Sequence, residues 1–302
     1  MTTDSRTDSR TDSRAVRDRA DSTAPAADTT APADSIAPAA TGDNRFKRAA
    51  DLLAAEWIKL AAVRSTWVII ALGLLGSIGT TLLLDNTTVD KWDHYEPAER
   101  AAFDPLAASF GGFALLQLAM MAVGSLTLGR EYSSGLIRTT FTAAPGRRAV
   151  LAAKAAVVGC LTAGVGAAAS LTAFTISQAM FSEKHFGLSV TAPGALRAIA
   201  ASSLHLAGVA LVGLALAGLL RHGAGAVTAC FGFLFLAPLF LHGDRGWPLR
   251  VHQALMDSAL RHLIVSQPDR HGPSTPAAWA VLLVTPLVLL AAAAVSAHRR
   301  DV

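Results

Sequence analysis

Charged side chains are scarce in this 302-residue chain, and they are unevenly placed. Asp, Glu, Lys and Arg make up 16% of the residues, whereas about 25% is usual in soluble domains. Six long stretches contain none of these four residue types. They are 65–84, 105–129, 155–182, 198–220, 222–243 and 272–298. With 52% of the residues hydrophobic, this composition indicates a protein that lies in a lipid bilayer.

Cysteine and catalytic motifs are also scarce or missing. The only cysteines, Cys160 and Cys230, fall inside charge-free stretches and lack the spacing of zinc ligands, so we expect neither a disulfide framework nor a metal site. The sequence has no G-x-x-x-x-G-K-[ST] phosphate loop, no H-E-x-x-H and no G-x-S-x-G. We therefore expect no catalytic residue, no cofactor held by this chain and no enzymatic activity of its own.

The length of the charge-free stretches predicts helices that cross a membrane. A hydrocarbon core of about 30 Å requires about 20 residues at a rise of about 1.5 Å per residue. A spanning segment must also satisfy its backbone hydrogen bonds internally, and these stretches lack the alternating polarity of barrel strands. We predict an all-α integral membrane protein with six transmembrane helices. Their expected spans are 65–84, 105–128, 155–181, 197–220, 223–241 and 277–297.

The beginning of the chain differs from the rest in composition. It contains three tandem TDSR units, followed by Ala, Pro, Asp and Thr with almost no large apolar side chain. Such a segment cannot bury enough apolar surface to offset its ordering entropy. We predict a disordered low-complexity tail over 1–44, either inert or with a regulatory or tethering role, and a transmembrane domain over 45–302.

Between the tail and the first span, the hydrophobic periodicity predicts a short amphipathic helix. At 100° per residue, Phe46, Leu53, Trp57 and Leu60 fall within an arc of about 60°. Four charged residues occupy the far side: Lys47, Arg48, Asp51 and Lys59. We expect this helix to lie in the membrane interface, with Trp57 at the level of the lipid headgroups. The alternative is a plain extension of the first span.

The positions of Lys and Arg predict the orientation in the membrane. With the N-terminus inside, thirteen of these residues fall on the cytoplasmic side and eight outside. The segment 85–104, expected to be the first outer loop, carries six acidic and two basic residues. We therefore predict a multi-pass protein of the plasma membrane with both termini cytoplasmic. Basic residues beside the spans also account for the pI near 9.4. We therefore expect the lipid bilayer as a partner and no nucleic acid.

A few polar residues lie inside the predicted spans, chiefly Gln117, Gln178 and His205. Unpaired polar groups are costly in lipid, so intramembrane polar residues are candidate functional groups. Neutral side chains of this kind also bond across helix interfaces and then serve packing alone. Both interpretations stay open for Gln117 and His205.

The most informative stretch is the loop GREYSSGLIRTTFTAAPGRRAVLAAK (129–154) between the second and third spans. It combines an acidic-aromatic pair, a glycine, a hydrophobic-arginine pair, a proline, an arginine and a final lysine. These are Glu131, Tyr132, Gly135, Ile137, Arg138, Pro145, Arg147 and Lys154. The loop resembles the intracellular coupling region of ABC type-2 exporter permeases. The segments EWIKL (56–60) and RSTW (64–67) are similar to the N-terminal interfacial helix of that family, with Glu56, Trp57 and Lys59 as its candidate residues.

The resemblance implies a permease subunit that works as a homodimer or heterodimer and moves a hydrophobic or amphipathic small molecule outward. Each half would bind one ABC ATPase subunit, which holds ATP and Mg, through the loop 130–138. The residues of this coupling loop would be Arg130, Glu131, Tyr132, Gly135, Ile137 and Arg138. We expect Glu131 and Arg138 to be exposed at the surface, outside the hydrocarbon. The alternatives are a non-transport scaffold or sensor in the membrane, and a secondary carrier. A carrier is disfavoured because the spans show neither buried charges nor an inverted repeat.

Overall fold

The computed structural model describes residues 42–136, 147–240, 246–267 and 272–299. Every regular element in these residues is helical, which confirms the all-α fold. Six of the described helical segments are long and apolar enough to cross a membrane. The first described helix begins at Gly42, before the predicted end of the tail at residue 44. The part of the predicted tail before Gly42 lies outside the described residues.

The N-terminal helix α1 (Gly42–Ala62) is separate from the first long helix α2 (Arg64–Lys91). Val63 interrupts them with extended backbone (φ −86°, ψ 97°), so α1 is not an extension of α2. On α1, Leu60 is buried against the bundle, whereas Trp57 is 45% exposed. The predicted short helix therefore exists, with a buried face and an exposed apolar face.

Helix α2 continues beyond the predicted end of the first span, because its polar residues find partners. Asp85, expected at the start of the outer loop, is buried and accepts a hydrogen bond from the Ser177 hydroxyl (2.5 Å). Thr87 and Thr88 donate to backbone carbonyls one turn earlier. The helix therefore reaches Lys91, seven residues beyond the predicted end of the span at residue 84.

The predicted second span is broken near its start. After a 3-10 turn (Trp92–His94) come α3 (Pro97–Ala102), α4 (Pro105–Ala108) and α5 (Phe113–Ser133). Asp104 caps α4 by accepting from two backbone amides. At Gly112 the chain approaches α2 so closely that a Cβ would lie 2.3 Å from the Ser77 carbonyl oxygen. Only α5 is long enough to span a membrane.

The other predicted spans agree with the structure to within a few residues, except that the third helix begins earlier. The remaining helices are α6 (Arg147–Ser182), α7 (Ala195–Leu220), α8 (Gly223–Phe231), a π-helical turn (Gly232–Leu236), α9 (Ala237–Phe240), α10 (Gly246–Gln253), α11 (Met256–Ile264) and α12 (Thr275–Arg299). The π turn lies inside the fifth predicted span, which continues through it.

Helix α7 is the centre of the bundle, because α5, α6, α8, α11 and α12 all pack against it. Small residues permit this close packing: a Cβ at Gly124 of α5 would lie 1.8 Å from the Ala210 carbonyl oxygen. Helices α2 and α12 instead expose large side chains such as Leu75 and Leu287. A surface of this kind fits contact with lipid. On one side, the start of α6 faces α1, and the candidate site lies there.

Candidate coupling site

Four charged side chains meet where α1, α5 and α6 converge, and we call this group the ion cluster. Lys154 of α6 donates hydrogen bonds to a carboxylate oxygen of Glu56 on α1 and to Glu131 Oε1 on α5 (2.8 Å for the latter). Lys59 of α1 donates to Glu56 Oε1 at 2.7 Å. The Lys59 ammonium also lies 3.9 Å from Glu131 Oε1. The ion cluster thus joins three helices through one buried ammonium group.

Burial makes the pairing of these charges energetically important. Glu56, Glu131 and Lys154 are only 4%, 8% and 2% exposed, whereas the Lys59 side chain is 43% exposed. A buried charge costs several kcal/mol unless an opposite charge and hydrogen bonds compensate it. Two carboxylates face two ammonium groups, so the charges balance. Glu131 Oε2 is nevertheless buried without a hydrogen-bond partner.

Local periodicity explains why each helix turns its charge inward. On α1, Glu56 and Leu60 are one turn apart and both buried, so the carboxylate follows the apolar face. On α6, Lys154 lies between the buried Val150 and Val158, at the i, i+4, i+8 spacing of one helix face. Glu131 occupies the last turn of α5. The three charges are therefore part of the interface between these helices.

A cavity of about 510 Å³ adjoins the ion cluster between α1, α2, α5 and α6. Its wall includes Leu60, Thr66 and Val157, and it extends to Ser134 and Leu136, where the described part of the loop ends. The cavity leaves space beside the end of α5. A displacement of that end therefore need not compress packed side chains, as it would in a filled interior.

The end of α5 has the geometry of a helix C-terminus followed by a turn. Ser133 and Ser134 donate their hydroxyl hydrogens to the Arg130 carbonyl. Gly135 then adopts a positive φ of 72°, the left-handed conformation that commonly ends a helix. The half-buried Tyr132 ring has the Arg221 guanidinium carbon 6.0 Å from its centroid. The loop therefore leaves the bundle directly after the ion cluster.

The structure corrects one expectation about the docking residues. Glu131 was expected to be exposed, but it is buried because Lys154 and the end of α1 cover it. Arg130, Tyr132 and Gly135 lie beside it at the end of α5, whereas Ile137 and Arg138 lie outside the described residues.

The other candidate residues divide between the site and the opposite part of the bundle. Glu56 and Lys59 belong to the ion cluster, and Trp57 faces outward beside it. Gln117 is buried on α5 and lines a separate cavity of about 720 Å³. His205 is buried on α7, and neither ring nitrogen has a hydrogen-bond partner. The structure therefore does not bring Gln117 and His205 to the site.

Lys154 is the residue whose role the sequence did not reveal. It was noted only as the end of the loop, yet it is the centre of the ion cluster. The signal in the sequence was a single lysine between two valines, each four residues away. This helical spacing places the lysine on the same buried face as the valines. Among the described residues, no group of three or more His, Cys, Asp or Glu could hold a metal ion.

Comparison with known proteins assigns no family to the chain. Neither a scan against protein-family models nor a search of curated proteins finds a match. The function is therefore inferred from the residues, the helical membrane fold and the ion cluster.

Proposed function

We propose that this chain is the membrane-spanning permease subunit of an ATP-binding-cassette exporter similar to the ABC type-2 class. The observation that carries the proposal is the ion cluster. Glu56 comes from the segment that resembles the family's interfacial helix, and Glu131 and Lys154 come from the two ends of the stretch that resembles its coupling loop. The two resembling segments, far apart in sequence, are thus in direct contact through buried charges.

The geometry supports a mechanical role for this contact. The loop leaves the bundle after Glu131 and returns to it before Lys154, so a partner that displaces the loop also displaces both charges. Each is hydrogen-bonded within a three-helix junction, and hydrogen bonds between ionised groups are about twice as strong as neutral ones. Motion of the loop would therefore pass to α1 and, across Val63, to α2. The adjoining cavity provides room for that motion.

An ABC ATPase subunit binds the loop and supplies the ATP and Mg that this chain has no phosphate loop to hold. A second permease chain, identical or different, completes the membrane unit, because two ATPases form the nucleotide sites. The plasma membrane contains the complex with both termini cytoplasmic, and the cargo is a hydrophobic or amphipathic small molecule.

A purification experiment tests the partnership. Protein extracted with mild detergent from its native host should carry an ATPase with a phosphate loop, and the complex should hydrolyse ATP whereas the isolated chain should not. Removal of residues 1–40 should leave this association intact. Repeated purification without an ATPase, and without one encoded in a neighbouring reading frame, would favour the membrane scaffold or sensor.

A second experiment tests the mechanical role of the ion cluster separately from stability. Replacing Glu56, Glu131 and Lys154 together with Met removes the buried charges of the ion cluster, and such apolar replacements are often neutral or stabilising. The complex should still form and hydrolyse ATP. In a background with Cys160→Ser and Cys230→Ser, spin labels at Trp57→Cys on α1 and Leu283→Cys on α12, both exposed positions, should report a nucleotide-dependent distance change that the triple variant loses. Lys59→Met is the control and should keep the change.

Orientation is tested by labelling single cysteines, introduced into a variant with Cys160→Ser and Cys230→Ser, on intact cells with a membrane-impermeant reagent. A cysteine at Asp93 should be labelled and one at Arg147 should not. The reverse pattern would place the loop outside the cell, where no ATPase could reach it.

A further inference from the structure

A groove of about 540 Å³ runs along the outer surface of the bundle between α6 and α12, away from the ion cluster. Helices α6 and α12 both pack against α7, and Leu211 of α7 lies at the floor of the groove. Alanines and a glycine line much of the walls, including Ala152, Ala156, Gly159 and Ala291. Because these side chains are short, the space between the two helices stays unfilled. The helices are of spanning length, so the groove opens toward lipid.

One end of the groove carries a positive charge. Arg148, in the first turn of α6, lines this end and is exposed. Among the described residues it has no ion-pair or hydrogen-bond partner. Lys154, by contrast, lies on another face of α6 and is fully paired in the ion cluster. Arg148 is therefore an available cation at the mouth of an otherwise apolar groove.

The length of the groove matches one leaflet of a bilayer. On α6 its lining extends from Arg148 to Cys160, which corresponds to about 18 Å at about 1.5 Å per residue. Half of a hydrocarbon core of about 30 Å is about 15 Å. A molecule with an anionic headgroup at Arg148 and a hydrocarbon chain along the alanines would occupy it from end to end.

We propose that this groove is a binding site for an anionic phospholipid, with the phosphate at Arg148 and one acyl chain between α6 and α12. The apolar wall recognises the chain through contact area, and the arginine selects the negatively charged headgroup. A second copy of this chain is a weaker fit, because a protein surface would have to insert a narrow apolar ridge to fill the same space. The site is distinct from the coupling site and does not depend on an ATPase.

Native mass spectrometry of the full chain tests the proposal with two probes of matched acyl chains, phosphatidylglycerol and phosphatidylcholine. The wild-type protein should retain phosphatidylglycerol preferentially. Arg148→Gln should lower that preference about fivefold, the factor expected for one basic residue at an anionic surface. Arg64→Gln is the matched control, because Arg64 is also exposed in the first turn of a spanning helix at the same end of the bundle. It should leave the preference unchanged.

A second pair of variants tests the groove apart from the charge. Ala156→Leu places a larger side chain in the groove and should reduce retention of both lipids while keeping the preference for phosphatidylglycerol. Gly164→Leu, on the same helix at an exposed position with open space for a Cβ, should change neither. These two variants separate occupation by a chain from attraction to a headgroup.

Three results would overturn the proposal. The first is equal retention of the two lipids by the wild-type protein, and the second is an equal loss of preference in Arg148→Gln and Arg64→Gln. The third uses Cys160, a free and exposed cysteine that lines the groove. Efficient Cys160–Cys160 cross-linking in membranes would place a second chain in the groove instead of a lipid, whereas its absence agrees with lipid occupancy.

Discussion

The two ends of the helical bundle are held together by different chemistry. At the end where α1 lies, Glu56, Glu131 and Lys154 place buried charges between helices. At the opposite end, the rings of Trp92 and Phe186 stack with centroids 3.9 Å apart, and other aromatic rings surround them. Buried ion pairs therefore join the helices at one end, whereas aromatic packing is prominent at the other, where the Lys184–Asp93 pair is partly exposed.

This difference indicates which end is suited to transmit motion. Aromatic packing stabilises an interface through its broad contact area, so a small shift of one helix against another reduces that area and the stabilisation. A buried ion cluster contributes little net stability, but it is specific about which groups must stay together. The charged end also borders a cavity and the loop, whereas Gln178 fastens the opposite end by neutral hydrogen bonds. The comparison predicts that substitutions at the two ends have different sizes and consequences.

The largest effect is expected for Lys154→Met. The substitution leaves Glu56 and Glu131 buried beside each other without the ammonium group that joins them, and breaking a buried ion pair in this way costs about 3–5 kcal/mol. Unfolding by denaturant in mixed micelles should show a loss of this size. Lys59→Met should cost about 1 kcal/mol or less, because the Lys59 side chain is 43% exposed. Equal stability of Lys154→Met and the wild type would contradict the burial of the ion cluster.

A smaller loss is expected for Gln178→Leu at the opposite end. The Gln178 amide donates to the Pro105 carbonyl (2.9 Å) and the Ser109 hydroxyl (2.8 Å), and its oxygen accepts from the Leu188 amide (2.6 Å). Leucine would leave the Leu188 amide without its acceptor, and the Ser109 hydroxyl and Pro105 carbonyl with only their bond to each other, at a cost of about 1–3 kcal/mol. The same unfolding assay measures it.

Thr175→Ala on the same helix is the control for Gln178→Leu. Its exposed hydroxyl bonds only to carbonyls of its own helix, so the change should stay within about 0.5 kcal/mol. A similar loss in both variants would show that the bonds of Gln178 contribute no more than local helix contacts.

A feature of these two ends can be predicted from the sequence when the interactions that determine it are local in the chain. The spans could be predicted because the absence of charge over about 20 residues is a local property set by membrane thickness. The break at Gly112 and the continuation of α2 past Asp85 depend on partners in other helices, the Ser77 carbonyl and the Ser177 hydroxyl. No local pattern contains those partners, so these helix ends could not be predicted from the sequence.

The same argument applies to the candidate site. The residues of the ion cluster were visible as motifs, but Glu56 and Lys154 are 98 positions apart and meet only because α1 packs on α6. In the sequence, charges beside a span are typical of anchors in the headgroup region. Burial, which converts such an anchor into a structural junction, follows from tertiary packing alone.

A third prediction concerns the aromatic packing itself. Phe186 contacts the rings of Trp92, Phe103 and Phe181, with centroids between 3.9 and 5.6 Å away. Phe186→Leu keeps an apolar side chain but removes the ring contacts, so we expect a loss of about 1 kcal/mol. Phe240→Leu should change stability by less than about 0.5 kcal/mol, because Phe240 is 78% exposed. Nucleotide-dependent movement of α1 should be unaffected by either variant.

The smallest effect is expected for Asp93→Asn, and it gives the sharpest contrast with the ion cluster. Lys184 donates to Asp93 Oδ2 at 2.5 Å, so this lysine-carboxylate pair resembles the contact of Lys154 with Glu131 in geometry. The Asp93 side chain is 67% exposed, however, and the Lys184 side chain is 31% exposed. Water and salt screen such a pair, and the side chains lose entropy when they are held together. We therefore expect the free energy of unfolding of Asp93→Asn to equal that of the wild type. The two proteins should also respond alike to salt from about 0.05 to about 0.5 M, a range on either side of about 0.1 M, where screening is already strong. A loss as large as that of Lys154→Met would mean that proximity of opposite charges, and not their burial, sets the cost of breaking a pair in this protein.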